Sequence, residues 1–160
     1  MDDRALLGDV PLGKLNDAKI LVVDDEEEIR TFLTTLFEDE GAMVFEAADG
    51  VEALEVAERK KPDLITLDLS MPGKDGVDAF CELRQNPATE EIPVCIITGH
   101  PEFRTVIYDR PVSPPEGFID KPCQPNHVVD TARRILGLRK RKQSRLLKCS
   151  WRKRRKLKPE

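Results

Sequence analysis

Leu64-Ile65-Thr66-Leu67-Asp68-Leu69-Ser70-Met71-Pro72-Gly73-Lys74-Asp75-Gly76 is the stretch on which the fold turns. An apolar, β-branched run closes on a carboxylate, and turn-forming residues follow at once. A run this hydrophobic reads as a central strand of a parallel sheet, where a carboxylate is tolerated only at the end that opens to solvent or metal. Working outward, Ile20-Leu21-Val22-Val23 ends in Asp24-Asp25, and Val94-Cys95-Ile96-Ile97 ends in Thr98. Gly117-Phe118-Ile119-Asp120 leads into Lys121-Pro122. Each run delivers polar atoms at its carboxyl end, the edge where open α/β sheets keep their ligands.

Helical periods separate the strands. Ile29, Phe32, Leu33, Leu36 and Phe37 recur at helical spacing, and Gly41 suits the position just past a helix end. Met43-Val44-Phe45 predicts a short strand. Asp49-Gly50 opens a helix that turns Val51, Leu54 and Ala57 inward and stops at Pro62. Val77, Phe80, Cys81 and Leu83 make a third helix, and Phe103, Val106 and Ile107 a short fourth. Pro111, Pro114 and Pro115 then predict a loop from about Asp109 to Glu116. The last helix opens at Pro125 and buries Val128 or Val129, Ala132, Ile135 and Leu136. Right-handed crossovers turn this alternation into a doubly wound α/β fold with a five-stranded parallel sheet in the order 2-1-3-4-5.

A chain of 160 residues suits one domain with a real core. Three segments are expected: a flexible leader over 1–18, a domain over 19–138 and a basic tail over 139–160. Cys81, Cys95, Cys123 and Cys149 form no C-x-x-C pair, which argues against zinc or a disulfide framework and favours a reducing cytoplasmic setting. No stretch reaches the roughly 20 apolar residues of a membrane span. The net charge of −4 hides an asymmetry, with 12 Lys/Arg against one acid beyond Leu138 and a net of −15 before it.

In the 2-1-3-4-5 order strands one and three are neighbours, so Asp24, Asp25 and Asp68 crowd one crevice and repel. An oxygen-seeking divalent cation relieves that repulsion, and Mg2+, which keeps several waters and takes one or two carboxylates, suits it better than zinc.

Val23-Asp24-Asp25, Asp68 with Met71-Pro72 and Asp75-Gly76, Thr98, and Lys121-Pro122 closely resemble, in order and spacing, the receiver domain of bacterial two-component response regulators over about Lys19 to Leu138. The resemblance implies that Asp68 accepts a phosphoryl group from a sensor histidine kinase or phosphotransfer protein and becomes an aspartyl phosphate. It also implies that Asp25, Asp68 and the backbone carbonyl of Ser70 ligate Mg2+ directly, with Asp24 acting through water. Thr98 and Lys121 would meet phosphoryl oxygens, and the Lys121–Pro122 bond would be cis. Phe118 stands at the aromatic switch position, where tyrosine is frequent, and cannot hydrogen-bond as tyrosine does. Gly99 replaces a common alanine, opening phosphoryl access.

Bland readings stand beside these. A lone Asp24 or Asp25 would merely cap the next helix. Glu26-Glu27-Glu28 reads as an acidic first turn at the positive helix end, not as further ligands. His100 reads as a surface loop residue. With 22 residues beyond Leu138, a single-domain receiver acting on a downstream protein partner is the expectation. Two competing functions are a Mg2+-dependent phosphatase, against which Ser70 stands where a second acid/base carboxylate belongs, and a regulator that binds nucleic acid weakly and non-specifically through the tail.

Overall fold

The computed structural model describes residues 15–71 and 75–156. The leader up to residue 14, the Pro72-Gly73-Lys74 part of the turn and residues 157–160 lie outside them. Five strands, β1 (Lys19–Val23), β2 (Met43–Ala47), β3 (Leu64–Leu67), β4 (Val94–Thr98) and β5 (Gly117–Asp120), form one sheet in the order β2-β1-β3-β4-β5. All four pairings are parallel, as the apolar runs predict. The helices are α1 (Glu27–Asp39), α2 (Gly50–Lys60), α3 (Gly76–Gln85), α4 (Phe103–Tyr108) and α5 (Pro125–Lys156).

Strand alternation divides the core in two. Leu21, Val23, Ile65, Leu67, Val94 and Ile96 face one side with Ala53, Val56, Val77, Phe80 and Ile107 of α2, α3 and α4. Ile20, Val22, Leu64, Cys95, Ile97 and Ile119 face the other with Leu33, Phe37, Val128, Ala132 and Ile135 of α1 and α5. Both faces are covered, which is why the central strands carry apolar residues at successive positions. Leu15, inside the expected leader, is buried in the second cluster, and the Asp17 amide donates to the Gly41 carbonyl at 3.2 Å. The packed domain therefore begins a turn before Lys19.

Local sequence sets the helix ends. Asp49 caps α2 by accepting from the Glu52 amide at 2.8 Å, while the Glu52 carboxylate accepts from the Ala48 amide at 3.0 Å. Lys61 then turns left-handed and Pro62 ends the helix. Asp75 caps α3 through the Asp78 amide. Gly41 takes φ +91° past the end of α1, a conformation open to glycine. Three positions of the expected apolar stripes are corrected, the first being Phe32, which is exposed while Leu33 and Phe37 fill the core side of α1. Val51 is exposed because α2 buries Ala53, Val56 and Ala57, and residue 51 lies about 200° round the helix from Ala53. Val106 is likewise largely outside, leaving Ile107 to anchor α4.

The segment between α4 and β5 is a loop, as its prolines require, but it is held by a residue without a sequence signal. Arg84, in the last turn of α3, is buried and donates through Nε to the Ser113 carbonyl (3.1 Å) and through Nη1 to that of Ile92 (2.8 Å). Its Nη2 donates to the Pro114 carbonyl (3.0 Å) and to Glu116 Oε2 (2.7 Å). Glu116 Oε2 also accepts from the Val94 amide at 2.7 Å, so one ion pair ties the proline-rich loop to the start of β4. Arg84→Met is expected to cost about 3 kcal/mol, since it removes a buried donor that serves several main-chain carbonyls as well as the half-exposed Glu116 carboxylate. Arg84→Lys should cost less, keeping charge but losing the planar fork. Urea unfolding of both variants checks this, and a loss under about 1 kcal/mol for the methionine variant would place the pair with ordinary surface ion pairs.

Candidate functional site

The sheet order brings the carboxyl ends of β1 and β3 side by side, and the ladder continues one residue further at each. The Asp24 amide donates to the Ala47 carbonyl at 3.1 Å, and the Asp68 amide to that of Val23 at 3.0 Å. Both carboxylates are thus placed by backbone pairing. Asp24 and Asp68 are buried, at 1% and 3% exposure, while Asp25 is open to solvent. Ligand oxygens of the three lie within 4.8 Å of one another. Such an all-oxygen set, with one side facing water, can hold a hard divalent cation that retains part of its hydration.

Lys121, directly after β5, reaches back across the sheet edge. Its Nζ lies 2.7 Å from Asp24 Oδ2, 3.5 Å from Asp68 Oδ2 and 4.0 Å from Glu26 Oε1. Its backbone amide donates to the Thr98 carbonyl at 2.8 Å, and the Lys121–Pro122 peptide is cis. Thr98 ends β4 fully buried, and its Oγ1 accepts from the His100 amide at 3.2 Å. The Ser70 amide donates to Asp68 Oδ1 at 3.2 Å. Asp24, Asp68 and Lys121 are therefore in direct contact range, with Asp25 alongside, and Thr98 is joined to Lys121 through the backbone.

Burial is the largest influence on Asp68 and raises its pKa from the ordinary 3.8; Asp24 and Asp25 push the same way, against Lys121 and the Ser70 amide. Burial opposes charge on Lys121 too, but the hydrogen bond to Asp24 and the attraction of Asp24 and Asp68 outweigh it and raise that pKa. A cation is thus held between two buried acids.

Sequence reading missed three supports. Arg30, within the first two turns of α1, donates through Nη1 to the Asp24 carbonyl at 2.8 Å and places Nε 3.5 Å from Glu46 of β2. The Glu26 amide donates to Asp24 Oδ1 at 2.9 Å, but Glu26 is itself the N-cap residue of α1 and no side chain caps that end, so Asp24 belongs to the cluster and is not the helix cap. Gly76 opens α3 against the Asp68 backbone. A Cβ there would fall 2.2 Å from the Asp68 carbonyl oxygen and 2.4 Å from Leu69 Cα, so only glycine allows this approach. The Asp75-Gly76 pair was the available signal for that contact; Arg30 had none beyond its distance from Asp24.

Away from the acids, Phe118 is half-buried against the α2–α4 core, with the Arg104 guanidinium 4.5 Å above its ring. Gly99 borders open space: a Cβ there would meet only the Lys121 Cβ, at 4.0 Å. His100 is exposed and paired with Glu102 at 3.1 Å.

Residues 20–133 match the model of the response regulator receiver domain. The chain is 33% identical over 121 residues to sporulation initiation phosphotransferase F of Bacillus subtilis, covering 76% of this chain and 95% of that protein. It is also 33% identical over 118 residues to the chemotaxis protein CheY of Halobacterium salinarum, covering 74% and 96%. Among solved structures, CheY4 of Vibrio cholerae superposes with a TM-score of 0.67 at 30% identity, covering 74% of this chain and 98% of that one. The chain belongs to the response regulator receiver family of two-component signalling.

The raised Asp68 pKa has a testable sign. Between 3.8 and the raised value the folded state holds a proton that the unfolded state has released, so stability falls as pH climbs through that window. Above it the ionised, buried carboxylate is a net cost. In metal-free buffer Asp68→Asn should exceed the parent in urea stability at neutral pH, with the gap closing as pH is lowered. A less stable variant at neutral pH would mean that attraction to Lys121 outweighs burial.

Proposed function

We propose that this protein accepts a phosphoryl group on Asp68 from a histidine kinase or phosphotransfer protein and switches a protein-binding surface in response. The observation that carries the reading is the buried Asp68 carboxylate, 3.5 Å from Lys121 Nζ and grouped with Asp24 and Asp25 at one sheet edge. A carboxylate oxygen of Asp68 forms the new O–P bond as the P–N bond of a phosphohistidine breaks, its electron pair leaving on the imidazole nitrogen, which takes a proton. Attack by water later cleaves that O–P bond, releases inorganic phosphate and restores the carboxylate. Such transfers depend on positioning and charge neutralisation more than on covalent help, and Lys121 meets that need as a compact cation beside the acceptor.

Asp25 and Asp68, with the backbone carbonyl of Ser70, would hold Mg2+, and Asp24 would act through water. The ion when bound neutralises charge on the phosphoryl oxygens. Lys121 remains the protein's own counter-charge and would bind a phosphoryl oxygen once the acid carries one. Thr98, one strand away, would turn its hydroxyl from the His100 amide toward another phosphoryl oxygen. That movement vacates space next to β5 and biases the half-buried Phe118 inward, away from Arg104, giving two states that a partner can distinguish. The protein acts in catalysis only on its own phosphorylation and hydrolysis. A cytoplasmic setting fits this role; among the described residues no helix is long and apolar enough to cross a membrane.

Two experiments test the reading. Acetyl phosphate with Mg2+ should label the parent once, at Asp68, and should fail to label Asp68→Asn; stoichiometric labelling of that variant elsewhere would refute the assignment. Thr98→Ala should still accept phosphate yet lose the response of Phe118, read from amide shifts on addition of beryllofluoride. Equal shifts in variant and parent would separate Thr98 from the switch.

A further inference from the structure

Helix α5 buries its last core residue at Leu136 and continues without a break to Lys156, crossing the expected boundary at 138/139. The first turn of the extension is tied to the base of the sheet: Arg139 Nη1 donates to the Asp63 carbonyl at 2.8 Å, and Lys142 Nζ lies 3.5 Å from Glu91 Oε2. Further on, Arg141, Arg145 and Lys148 are exposed and have no acidic partner among the described residues. From Arg139 to Lys156 the sequence holds 11 Lys/Arg and no acid.

We infer that this extension binds the phosphodiester backbone of duplex nucleic acid without sequence preference. The distribution of charge around the helix favours that partner. Arg141, Arg145 and Lys148, the exposed bases without acidic partners among the described residues, stand at i, i+4 and i+7, so at about 100° per residue they line one face within about 60°. Leu146 and Leu147 are exposed but adjacent in sequence, and so diverge instead of joining in a stripe. A membrane-surface helix needs an apolar face and a coiled-coil partner needs a heptad seam; the described side chains of this extension offer neither. A phosphodiester backbone running alongside the helix presents a continuous line of negative charge that such a stripe can follow. Lengths agree as well, since 18 helical residues span roughly 27 Å, alongside roughly 16 phosphates of a duplex. The preceding residues, at net −15, are repelled by a polyanion, which leaves the extension as the point of contact.

The test is fluorescence anisotropy of a labelled duplex with the full chain across a salt series. The expected result is binding that weakens steeply with salt and is equal for two unrelated sequences. Arg145→Gln with Lys148→Gln should flatten the slope of log affinity against log salt by about 1.8, near 0.9 for each lost phosphate contact. Arg145→Lys with Lys148→Arg should restore it, which separates charge from helix integrity. Asp68→Asn should bind like the parent, so this outcome is independent of phosphorylation. Absence of binding at low salt, or a slope unchanged by the glutamine pair, would overturn the inference. So would preferential binding to phosphatidylserine vesicles, which would assign the helix to a membrane surface. Strong sequence preference, or salt-sensitive self-association that the duplex cannot compete away, would overturn it too.

Discussion

The rest of the structure depends on bringing like charges together at the end of a buried sheet. Two carboxylates almost without solvent and a third beside them repel, and the arrangement stands because Lys121 enters from the far side of β4. One cation within 3.5 Å of both buried acids does not cancel three negative charges. The remaining imbalance is the chemical appetite of the site. Under the proposed function it would draw in a hard cation, and with that cation an anionic group otherwise repelled.

Holding such a cluster asks for backbone rigidity around it, and the molecule supplies this through main-chain contacts. Ladder bonds extend past β1 and β3, Arg30 grips the Asp24 carbonyl, and Gly76 lets α3 start almost in contact with the Asp68 backbone. These supports act on the main chain, whereas the carboxylate oxygens of Asp24 and Asp68 are met by the Glu26 and Ser70 amides and by Lys121. Specificity at the site thus comes from where the main chain ends, and the side chains there remain free to exchange partners.

Much of the fold was legible because a sheet covered on both faces writes itself as uninterrupted apolar runs, and each run here ends in a residue of unlike chemistry. The cluster of Asp24, Asp25, Asp68, Thr98 and Lys121 could be anticipated from order and spacing, since parallel topology converts strand ends into neighbours. What stayed hidden depends on geometry that no period carries. Val51 is as apolar as Val56, and only the angular position of α2 sends it outward. Arg84 reads as a surface arginine at a helix end until the proline-rich loop supplies two carbonyls and a carboxylate, and the segment before β4 two more carbonyls, around it. Leu15 follows a stretch without periodicity, so its burial had no local sign.

Helix α5 is continuous in hydrogen bonding but not in what shields those bonds. Its first three turns carry Val128, Val129, Ala132, Ile135 and Leu136 into the core, whereas Leu146 and Leu147 sit in solvent. Amide protons of the first part can exchange with water only when the domain opens, and those of the second only need the helix to fray. One unbroken helix therefore contains two kinetic regimes that meet near Gly137. A ligand gripping the outer part would slow exchange there without touching a single core contact.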